Sequence, residues 1–472
     1  MTASDARTVA APARPPAAWP RAATLIGTSL GFGVIQLDVT VVNVAVKAIG
    51  GTFGGGIAEL QWVVSSYVLM FAALILPAGA LGDRFGAKRV LCAGFVIFVA
   101  ASMACGLAPD FAVLIAARAV QGAGAALLGS CSLALLNYTF TSPADRARAI
   151  GQWAAGASAA LSGGPVIGGI LIATLGWRSI FFINTPIGLA GLWLVWRYAT
   201  ETPRAVSPGT GRPGLDLAGA VSAVIALAAF AAAIIEGGSG GFGRPWVLGG
   251  LAVSALAVAA FIRAEARAAQ PKLPLSLFRH RPFVAPVSVG FLVNVCFYGL
   301  IFLFSLLFQE QQGMSALRAG LAFAPMTAAI LAANLLSGRV VAAVGRAGAL
   351  LAGLAAMAIG CAALLWAGPR TGYPALVGQQ VLLGGGLGLL VPPMTGLVLS
   401  SAERSRSGVA AGALTAFRQA GSLLGVALFG SLAAGDFYGG FRASLCISVA
   451  ILIVSAGVVV GAGATGRRAA AG

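Results

Sequence analysis

Long, continuously apolar segments alternate with short polar ones along almost the whole chain. A helix that crosses a lipid bilayer needs about 20 predominantly apolar residues. Fourteen segments approach or exceed that length: 22–46, 58–81, 90–108, 112–138, 148–173, 179–196, 215–236, 245–262, 283–308, 319–343, 348–367, 373–400, 407–434 and 441–463. Because the apolar runs are continuous instead of alternating with polar residues, they predict helices and not the strands of a membrane barrel. The pattern therefore predicts an all-α membrane protein with 14 transmembrane helices.

The distribution of lysine and arginine predicts the orientation of these helices. With the amino terminus in the cytoplasm, 22 of the 30 basic residues fall in cytoplasmic loops or tails and six fall in outer segments. Such an excess is typical of cytoplasmic loops. The remaining two, Arg118 and Arg418, fall deep inside predicted spans. Both termini are therefore predicted to be cytoplasmic, and the alanine-, glycine- and arginine-rich composition favours the cytoplasmic (plasma) membrane of a bacterium.

A faint internal repeat divides the predicted helices into two groups of six. Gly79 and Gly86 are seven residues apart after the second helix, and Gly338 and Gly345 are seven apart after the tenth. Two pseudo-symmetric six-helix bundles plus two inserted helices are therefore predicted. The predicted parts are a cytoplasmic tail at 1–21, an amino-terminal bundle at 22–199, the two inserted helices with a cytoplasmic linker at 200–282, a carboxyl-terminal bundle at 283–466 and a tail at 467–472.

Composition supports a membrane environment and argues against several classes of function. The chain is 59% hydrophobic and 9% charged, whereas an ordinary globular domain is about 25% charged. The net charge of +17 does not predict nucleic-acid binding, because the basic residues are scattered among short loops instead of forming one patch. The six cysteines fall singly in apolar segments without metal-ligand spacing. Neither a metal nor a cofactor is predicted.

Two serine patterns that mimic a nucleophile motif do not predict an enzyme. The patterns around Ser29 and Ser239 lie in a span and in a glycine-rich outer loop, without the strand–turn–helix context that such a serine needs. The single histidine, His280, falls on the cytoplasmic side, opposite Ser239. A Gly-x-x-x-x-Gly-Lys-Ser/Thr loop is also missing from the sequence, so an ion gradient, and not nucleotide hydrolysis, is predicted to supply the energy.

Six short segments carry a set of recognisable motifs. They are the loop at 79–89 with Gly79, Asp83, Arg84, Gly86, Lys88 and Arg89; the segment 118–124 with Arg118 and Gln121; the fifth predicted helix with Gly151, Gly164, Pro165, Gly168 and Gly169; and the segments 37–45, 177–188 and 418–421. In their order along the chain, these segments resemble the motifs of the major facilitator superfamily, specifically of its fourteen-span drug:proton antiporters. Ala160 stands where the fifth-helix motif usually has another glycine.

The resemblance implies roles for two of these segments. The loop at 79–89 would act as a cytoplasmic latch between the bundles, although a solvated basic loop that only sets topology would carry the same residues. The fifth-helix motif would form a flexible or leak-sealing segment on which antiport depends. A simple structural kink at Pro165 is the alternative, because proline frees a backbone carbonyl in any helix.

Asp38 is the candidate for proton coupling. A carboxylate within the membrane is costly and therefore faces a cavity or a partner. By the helical rise, Asp38 lies about 12 Å and Arg118 about 9 Å from the outer ends of their helices. The two side chains can therefore pair if the helices adjoin, as the resemblance implies. Proton uptake by Asp38 would weaken the pair and compete with substrate binding, and a permanent structural ion pair is the alternative.

Four polar residues are candidates to line a substrate cavity: Asn43, Gln121, Arg418 and Gln419. Arg418 lies about 16 Å from the inner end of its helix, where it can hold an anionic group of the substrate or bind backbone carbonyls near Gly421. No Asp or Glu lies deep in the carboxyl half of the chain. Neutral or singly charged amphipathic substrates are therefore favoured.

The predicted function is proton-coupled export of small amphipathic molecules, such as drugs, antibiotics or related metabolites, by alternating access. A proton-coupled importer or a uniporter of a small metabolite is the alternative, since a fold does not determine function. The predicted partners are the small-molecule substrate, protons and the lipid bilayer. A monomer without enzymatic activity is expected.

Overall fold

The protein is built from helices along the parts of the chain that the structure describes. A computed structural model describes residues 18–202, 217–267, 273, 275–401 and 407–471. Every regular element in these ranges is helical, and 12 segments within them are long and apolar enough to cross a membrane. The prediction of an all-helical, multi-pass membrane protein is thereby confirmed. Most of the predicted tail at 1–21 and part of the predicted linker lie outside the described residues.

Seven helices precede the predicted insertion: α1 (Ala18–Phe53), α2 (Ile57–Phe85), α3 (Ala87–Gly106), α4 (Phe111–Thr139), α5 (Pro143–Leu175), α6 (Ser179–Phe182) and α7 (Asn184–Tyr198). Local signals explain where two of them begin. Asp110 caps α4 by accepting a hydrogen bond from the Val113 amide at 2.8 Å. Pro143 opens α5, where its missing amide leaves no helical hydrogen bond unmade.

The rest of the chain forms α8 (Leu217–Gly240), α9 (Pro245–Arg267), α10 (Arg281–Leu306), α11 (Ala316–Ala322), α12 (Ala324–Ala363), α13 (Val377–Ser401), α14 (Ser407–Ala433) and α15 (Phe437–Ala471). A π-helical turn at Leu307–Gln311 extends α10. Several helices are longer than the predicted apolar spans, and α15 continues into the predicted tail at 467–472. A helix satisfies its own backbone hydrogen bonds, so it can continue beyond the lipid without apolar side chains.

Two glycines with left-handed backbone angles mark corresponding points of the two halves. Gly86 separates α2 from α3 with φ 97°, and Gly345 interrupts α12 with φ 75° and ψ 169°. Residues with a side chain rarely adopt such angles. These glycines are the second members of the two pairs that predicted the repeat, so each pair ends at a sharp turn between consecutive helices.

The repeat also recurs in how the helices pack. A Cβ atom on Gly94 would lie 3.3 Å from the carbonyl oxygen of Gly124, and one on Gly353 would lie 2.8 Å from that of Gly386. Small residues at such positions allow two helix backbones to approach closely. α3 therefore packs on α4 in the same manner as the second part of α12 packs on α13.

The helices α8 and α9 lie beside the junction between the two halves. Ser254 Oγ of α9 donates a hydrogen bond to the Ala226 carbonyl of α8 at 2.9 Å. Ser431 Oγ of α14 donates to the Ile234 carbonyl of α8 at 2.8 Å. Because α8 also contacts α2, it borders the α2–α14 contact that joins the halves.

Candidate ion-pair site and bundle junction

Asp38 of α1 and Arg118 of α4 form a buried ion pair. Arg118 Nη1 donates to Asp38 Oδ2 and, at 2.7 Å, to Gln121 Oε1, while Arg118 Nε donates to the Val63 carbonyl of α2 at 3.1 Å. The two charged side chains are 0% and 1% exposed. The structure therefore places the two candidate residues in the direct contact that the coupling hypothesis requires. The coupling itself stays a prediction.

Two uncharged side chains complete the hydrogen bonding of the Asp38 carboxylate, and a third, Ser102, bonds to both of them. Gln121 Nε2 and Asn184 Nδ2 each donate to Asp38 Oδ1 at 2.9 Å. The same two amides donate to Ser102 Oγ at 3.2 and 3.0 Å, and Ser102 donates to the Phe181 carbonyl at 2.9 Å. A buried charge pair persists only when such additional bonds satisfy its remaining lone pairs and protons. Four helical segments, α1, α3, α4 and α7, thus hold one carboxylate.

Sequence reasoning missed two members of this network. Asn184 lies within the motif at 177–188, so the resemblance contained a signal that the sequence prediction did not use for the site. Ser102 carried no signal, because serine is common in membrane helices and its hydroxyl usually bonds within its own helix. Gln121, predicted as a cavity residue, belongs instead to the ion-pair network.

Aromatic rings cover the guanidinium of Arg118. Its Cζ lies 4.3 Å from the ring centroid of Tyr67 and 5.8 Å from that of Phe181. The face of an aromatic ring attracts a cation, and more strongly where water is excluded. The Tyr67 hydroxyl is buried and has no hydrogen-bond partner among the described residues. Tyr67 therefore covers the guanidinium with its ring, while its hydroxyl makes no hydrogen bond to the ion pair.

The fifth-helix motif packs α5 tightly on α1. A Cβ on Gly168 would lie 2.6 Å from Val41 Cγ2, and one on Gly164 would overlap the side chain of Thr40. Pro165 leaves the Leu161 carbonyl without its helical donor, and Thr40 Oγ1 approaches this carbonyl at 3.3 Å. The carbonyl that Pro165 frees therefore lies at the α1–α5 contact, and Thr40, which approaches it, is two residues along the chain from Asp38.

Gly169 of the same motif lies at the contact with the other half of the protein. A Cβ there would lie 2.8 Å from the Ala316 carbonyl oxygen and 3.3 Å from Gly320 Cα, both in α11. A Cβ on Gly151, by contrast, would meet nothing within 4 Å. The motif therefore divides into glycines that permit close helix approach and one, Gly151, that faces open space.

The outer parts of the helices carry further hydrogen bonds between the halves. Ser305 donates to the Asn43 carbonyl, and Lys47 Nζ donates to the Gln309 carbonyl at 2.5 Å. Gln61 Nε2 of α2 donates to the carbonyls of Val426 and Ala427 in α14 at 2.9 and 2.8 Å. Together with the Gly169 contact, these bonds close the junction at the ends predicted to face outward.

Asn43 was predicted to line the substrate cavity through its side chain. Its Nδ2 instead donates to the Val39 carbonyl of its own helix at 2.8 Å, and its backbone carbonyl makes the contact with Ser305. Asn43 Oδ1 is buried and has no hydrogen-bond partner among the described residues. The structure thus places Asn43 at the closed junction.

The predicted latch loop contacts residues that follow α7. The Ala87 amide donates to Thr202 Oγ1 at 2.8 Å, and Arg89 Nε lies 3.4 Å from Glu201 Oε2. The Arg84 guanidinium lies 5.3 Å from the centre of the Phe85 ring. Of the remaining residues of the motif, Gly79 and Asp83 lie near the end of α2, Gly86 separates the two helices and Lys88 lies at the start of α3. The latch role stays a prediction.

Arg418 and Gln419 lie in α14, away from the hydrogen bonds of the Asp38 network. Arg418 is partly buried, and its Nε has no hydrogen-bond partner among the described residues. Its stem packs on α10, where a Cβ on Gly290 would lie 3.2 Å from Arg418 Cγ. Gln419 is 8% exposed. The structure therefore does not unite the four predicted cavity residues in one site.

A largely apolar groove of about 590 Å³ runs along α1, α5 and α7. Its lining includes Leu37, the neighbour of Asp38, and Ile167 of the fifth-helix motif, with Ser29 and Gln152 as polar members. Small-molecule sites commonly have volumes of about 300–1,000 Å³ and apolar walls. The groove is therefore large enough for a small amphipathic molecule next to the helix that carries Asp38.

The sequence is similar to known families and proteins. A sequence profile of the family described as Major Facilitator Superfamily matches residues 28–426. The chain is 38% identical over 410 residues to the methylenomycin A resistance protein of Bacillus subtilis, covering 86% of each chain. It is 36% identical to the multidrug resistance protein Stp of Mycobacterium tuberculosis, covering 87% of this chain and 75% of Stp. It is 33% identical to the tetracenomycin C resistance and export protein of Streptomyces glaucescens, covering 89% and 77%.

Two solved structures share the fold. The human organic anion transporter MFSD10 superposes with a TM-score of 0.65 at 17% identity, covering 93% of this chain and 98% of that one. A bacterial homologue of the human lysosomal transporter Spinster, in an inward-facing and unoccupied conformation, also gives 0.65, at 19% identity, covering 95% and 98%. At these identities the likeness concerns the fold alone.

Proposed function

Since this chain belongs to the major facilitator superfamily and to its drug-efflux transporters, we propose that it exports small amphipathic molecules in exchange for protons. The family that matches the chain is a family of transporters and not of enzymes. The relatives named above are resistance or export proteins for antibiotics and drugs. Export, and not import by a proton-coupled importer or a uniporter, is therefore the direction proposed.

The proposal rests on one observation, the buried carboxylate of Asp38 and the hydrogen-bond donors that surround it. Arg118, Gln121 and Asn184 all donate to it as a charged acceptor. Binding a proton would neutralise Asp38 and weaken the attraction of Arg118 for it. A buried Arg118 without its counter-ion is unfavourable, so protonation favours a rearrangement of α1 against α4.

The closed outer junction supports alternating access. Hydrogen bonds from Ser305, Lys47 and Gln61 join the halves at the outer ends, and a transporter must break such contacts to open outward. Alternating access then requires that substrate enter from the cytoplasmic side while this junction is closed. Proton binding from outside would require the outer junction to separate.

We extend the proposal to fourteen spans with both termini in the cytoplasm. One apolar segment, Ala316–Ala363, has 48 residues, which is about 72 Å of helix against a bilayer core of about 30 Å. Its break at Gly345 supports two crossings. α14 adds a further helix of 27 residues whose apolar character is interrupted by Arg418.

The excess of basic residues on the proposed inner side supports the proposed orientation. A single chain that contains both bundles supports a monomer.

Everted membrane vesicles provide the test. After expression in a pump-deficient host, a susceptibility screen identifies exported compounds, and vesicles with an acid lumen are then exposed to them. An exporter that exchanges substrate for protons releases lumenal protons when substrate is added. An importer or a uniporter gives no substrate-dependent alkalinisation, and that result would reject the proposal. Vesicles from cells without the protein provide the control.

Gly169→Val is expected to slow transport by preventing closure of the outer junction. Overpacking costs about 1–3 kcal/mol, which corresponds to about 5- to 150-fold in the population of the closed state. Gly151→Val is the matched control, because the same side chain meets open space there. Transport rate in everted vesicles is the measurement. Equal loss in both variants would show that helix propensity, and not the junction, is responsible.

A further inference from the structure

Arg418 is a cation in the middle of a membrane helix without an acidic partner. It is the twelfth of the 27 residues of α14. Between Glu310 and Asp436 the sequence contains one acid, Glu403, which precedes α14. Among the described residues no salt bridge reaches Arg418, whereas Arg118 of the other half is paired. The two intramembrane arginines therefore differ in that only one is neutralised.

The position of Arg418 is not explained by the internal repeat. Gly164 and Gly168 pack α5 against the Leu37 and Val41 carbonyls of α1. Gly421 and Gly425, each 257 residues later, pack α14 against carbonyls of α10 in the same way. Arg418 precedes Gly421 by three residues, as Leu161 precedes Gly164. The equivalent residue in the other half is thus apolar, and close helix packing does not require an arginine there.

The stem of Arg418 packs among apolar side chains, and one tyrosine lies within electrostatic range of its charge. Its Nε is buried without a partner among the described residues, while the side chain as a whole stays partly accessible. Tyr298 of α10 lies within electrostatic range of Arg418 and also of Tyr67. Tyr67 in turn lies on Arg118. Two tyrosines, Tyr298 and Tyr67, therefore link Arg418 to the ion pair of the other half.

We propose that Arg418 recognises an oxyanion group, a carboxylate or a sulfonate, on an amphipathic substrate. A planar guanidinium matches such a group with two parallel hydrogen bonds. An intramembrane arginine faces the bundle interior or a water-filled cavity and pairs with another charge or with backbone carbonyls, and an anionic ligand would supply the charge that Arg418 lacks among the described residues. This inference rests on the proposed export function and names its substrate class.

The charge of the substrate changes the energetics of exchange. One proton moving inward against one monoanion moving outward transfers two charges, whereas exchange with a neutral molecule transfers one. A membrane potential of about 60 mV, negative inside, would then support a gradient of about a hundredfold for the anion and about tenfold for the neutral molecule. Anionic substrates are therefore exported against larger gradients.

The test uses the full-length protein and one naphthyl scaffold carrying a sulfonate, a neutral sulfonamide or a methylammonium group. Binding to the wild-type protein in detergent is expected to be at least about tenfold tighter for the sulfonate than for the sulfonamide, as for a hydrogen bond to a charged group. Equal affinities, or a preference for the ammonium compound, would overturn the inference. This comparison needs no variant and so does not depend on a mutant folding.

Variants then assign the preference to Arg418. Arg418→Gln is expected to reduce the ratio of sulfonamide to sulfonate dissociation constants to about one, and Arg418→Lys to retain part of it. Arg442→Gln is the matched control, an exposed arginine in the same half. An unchanged ratio in Arg418→Gln would overturn the assignment. Export of all three compounds without charge preference would reject this inference alone, whereas failure of every compound to release protons would reject the proposed function.

Discussion

Asp38→Asn is expected to abolish proton-driven transport while the protein still inserts and folds. Asparagine has nearly the shape of aspartate and its carbonyl oxygen can accept from Gln121 or Asn184, but it takes up no proton. The variant therefore keeps much of the network and loses the charge change. Substrate-dependent proton release from everted vesicles is the measurement, with substrate binding in detergent as the check on folding.

Asp145→Asn is the control for this substitution. Asp145 is about half exposed and lies 3.9 Å from Arg148 in the same helix, a surface pair that contributes little. Its substitution is expected to leave proton release unchanged. Full proton-coupled transport by Asp38→Asn would mean that the buried pair is a permanent structural feature and that another group takes up the proton.

Arg118→Leu is expected to produce the largest loss of stability. Removing one partner of a buried ion pair typically costs about 3–5 kcal/mol, because the other charge is left buried without compensation. Here Asp38 would lose Arg118 while remaining 0% exposed. Thermal unfolding in detergent, followed by the loss of helical signal, is the measurement, and a large fall in the unfolding temperature is expected.

The double variant Asp38→Leu/Arg118→Leu provides the decisive comparison. Replacing both members of a buried pair with apolar residues is often neutral or stabilising. The double variant is therefore expected to recover much of the stability that Arg118→Leu loses, and to remain inactive. If the stability losses of the single variants Arg118→Leu and Asp38→Leu simply add in the double variant, the two charges do not compensate each other. The buried pair then does not function as described.

The pairing of Asp38 with Arg118 could be anticipated because charge is rare in an apolar segment. Continuous apolar runs define the spans, and the helical rise then places both residues at a similar depth. The direct contact agrees with that estimate. The same reasoning identified Arg418, since an arginine stands out from any membrane helix.

The uncharged members of the network could not be anticipated in this way. Ser102, Asn184 and Tyr67 are residue types that occur throughout membrane helices, and their depth alone does not say which helix they face. Rotation of each helix about its axis decides whether a side chain meets Asp38 or lipid. That rotation is set by close contacts such as Gly94 against Gly124, which involve residues distant in the sequence.

The amino-acid sequence by itself determined the membrane environment and the helices, predicted their orientation, and carried the resemblance to one superfamily. The helices and their predicted orientation follow from hydropathy and loop charge, which are local properties of the sequence. The resemblance follows from short motifs, which are also local. Only the tertiary structure decided that Gln121 belongs to the ion-pair network, that Asn43 and Gly169 lie at the closed junction between the halves, and that no salt bridge reaches Arg418 from the described residues. Those facts depend on how separate helices pack, and packing energy is a property of pairs of surfaces and not of any one segment.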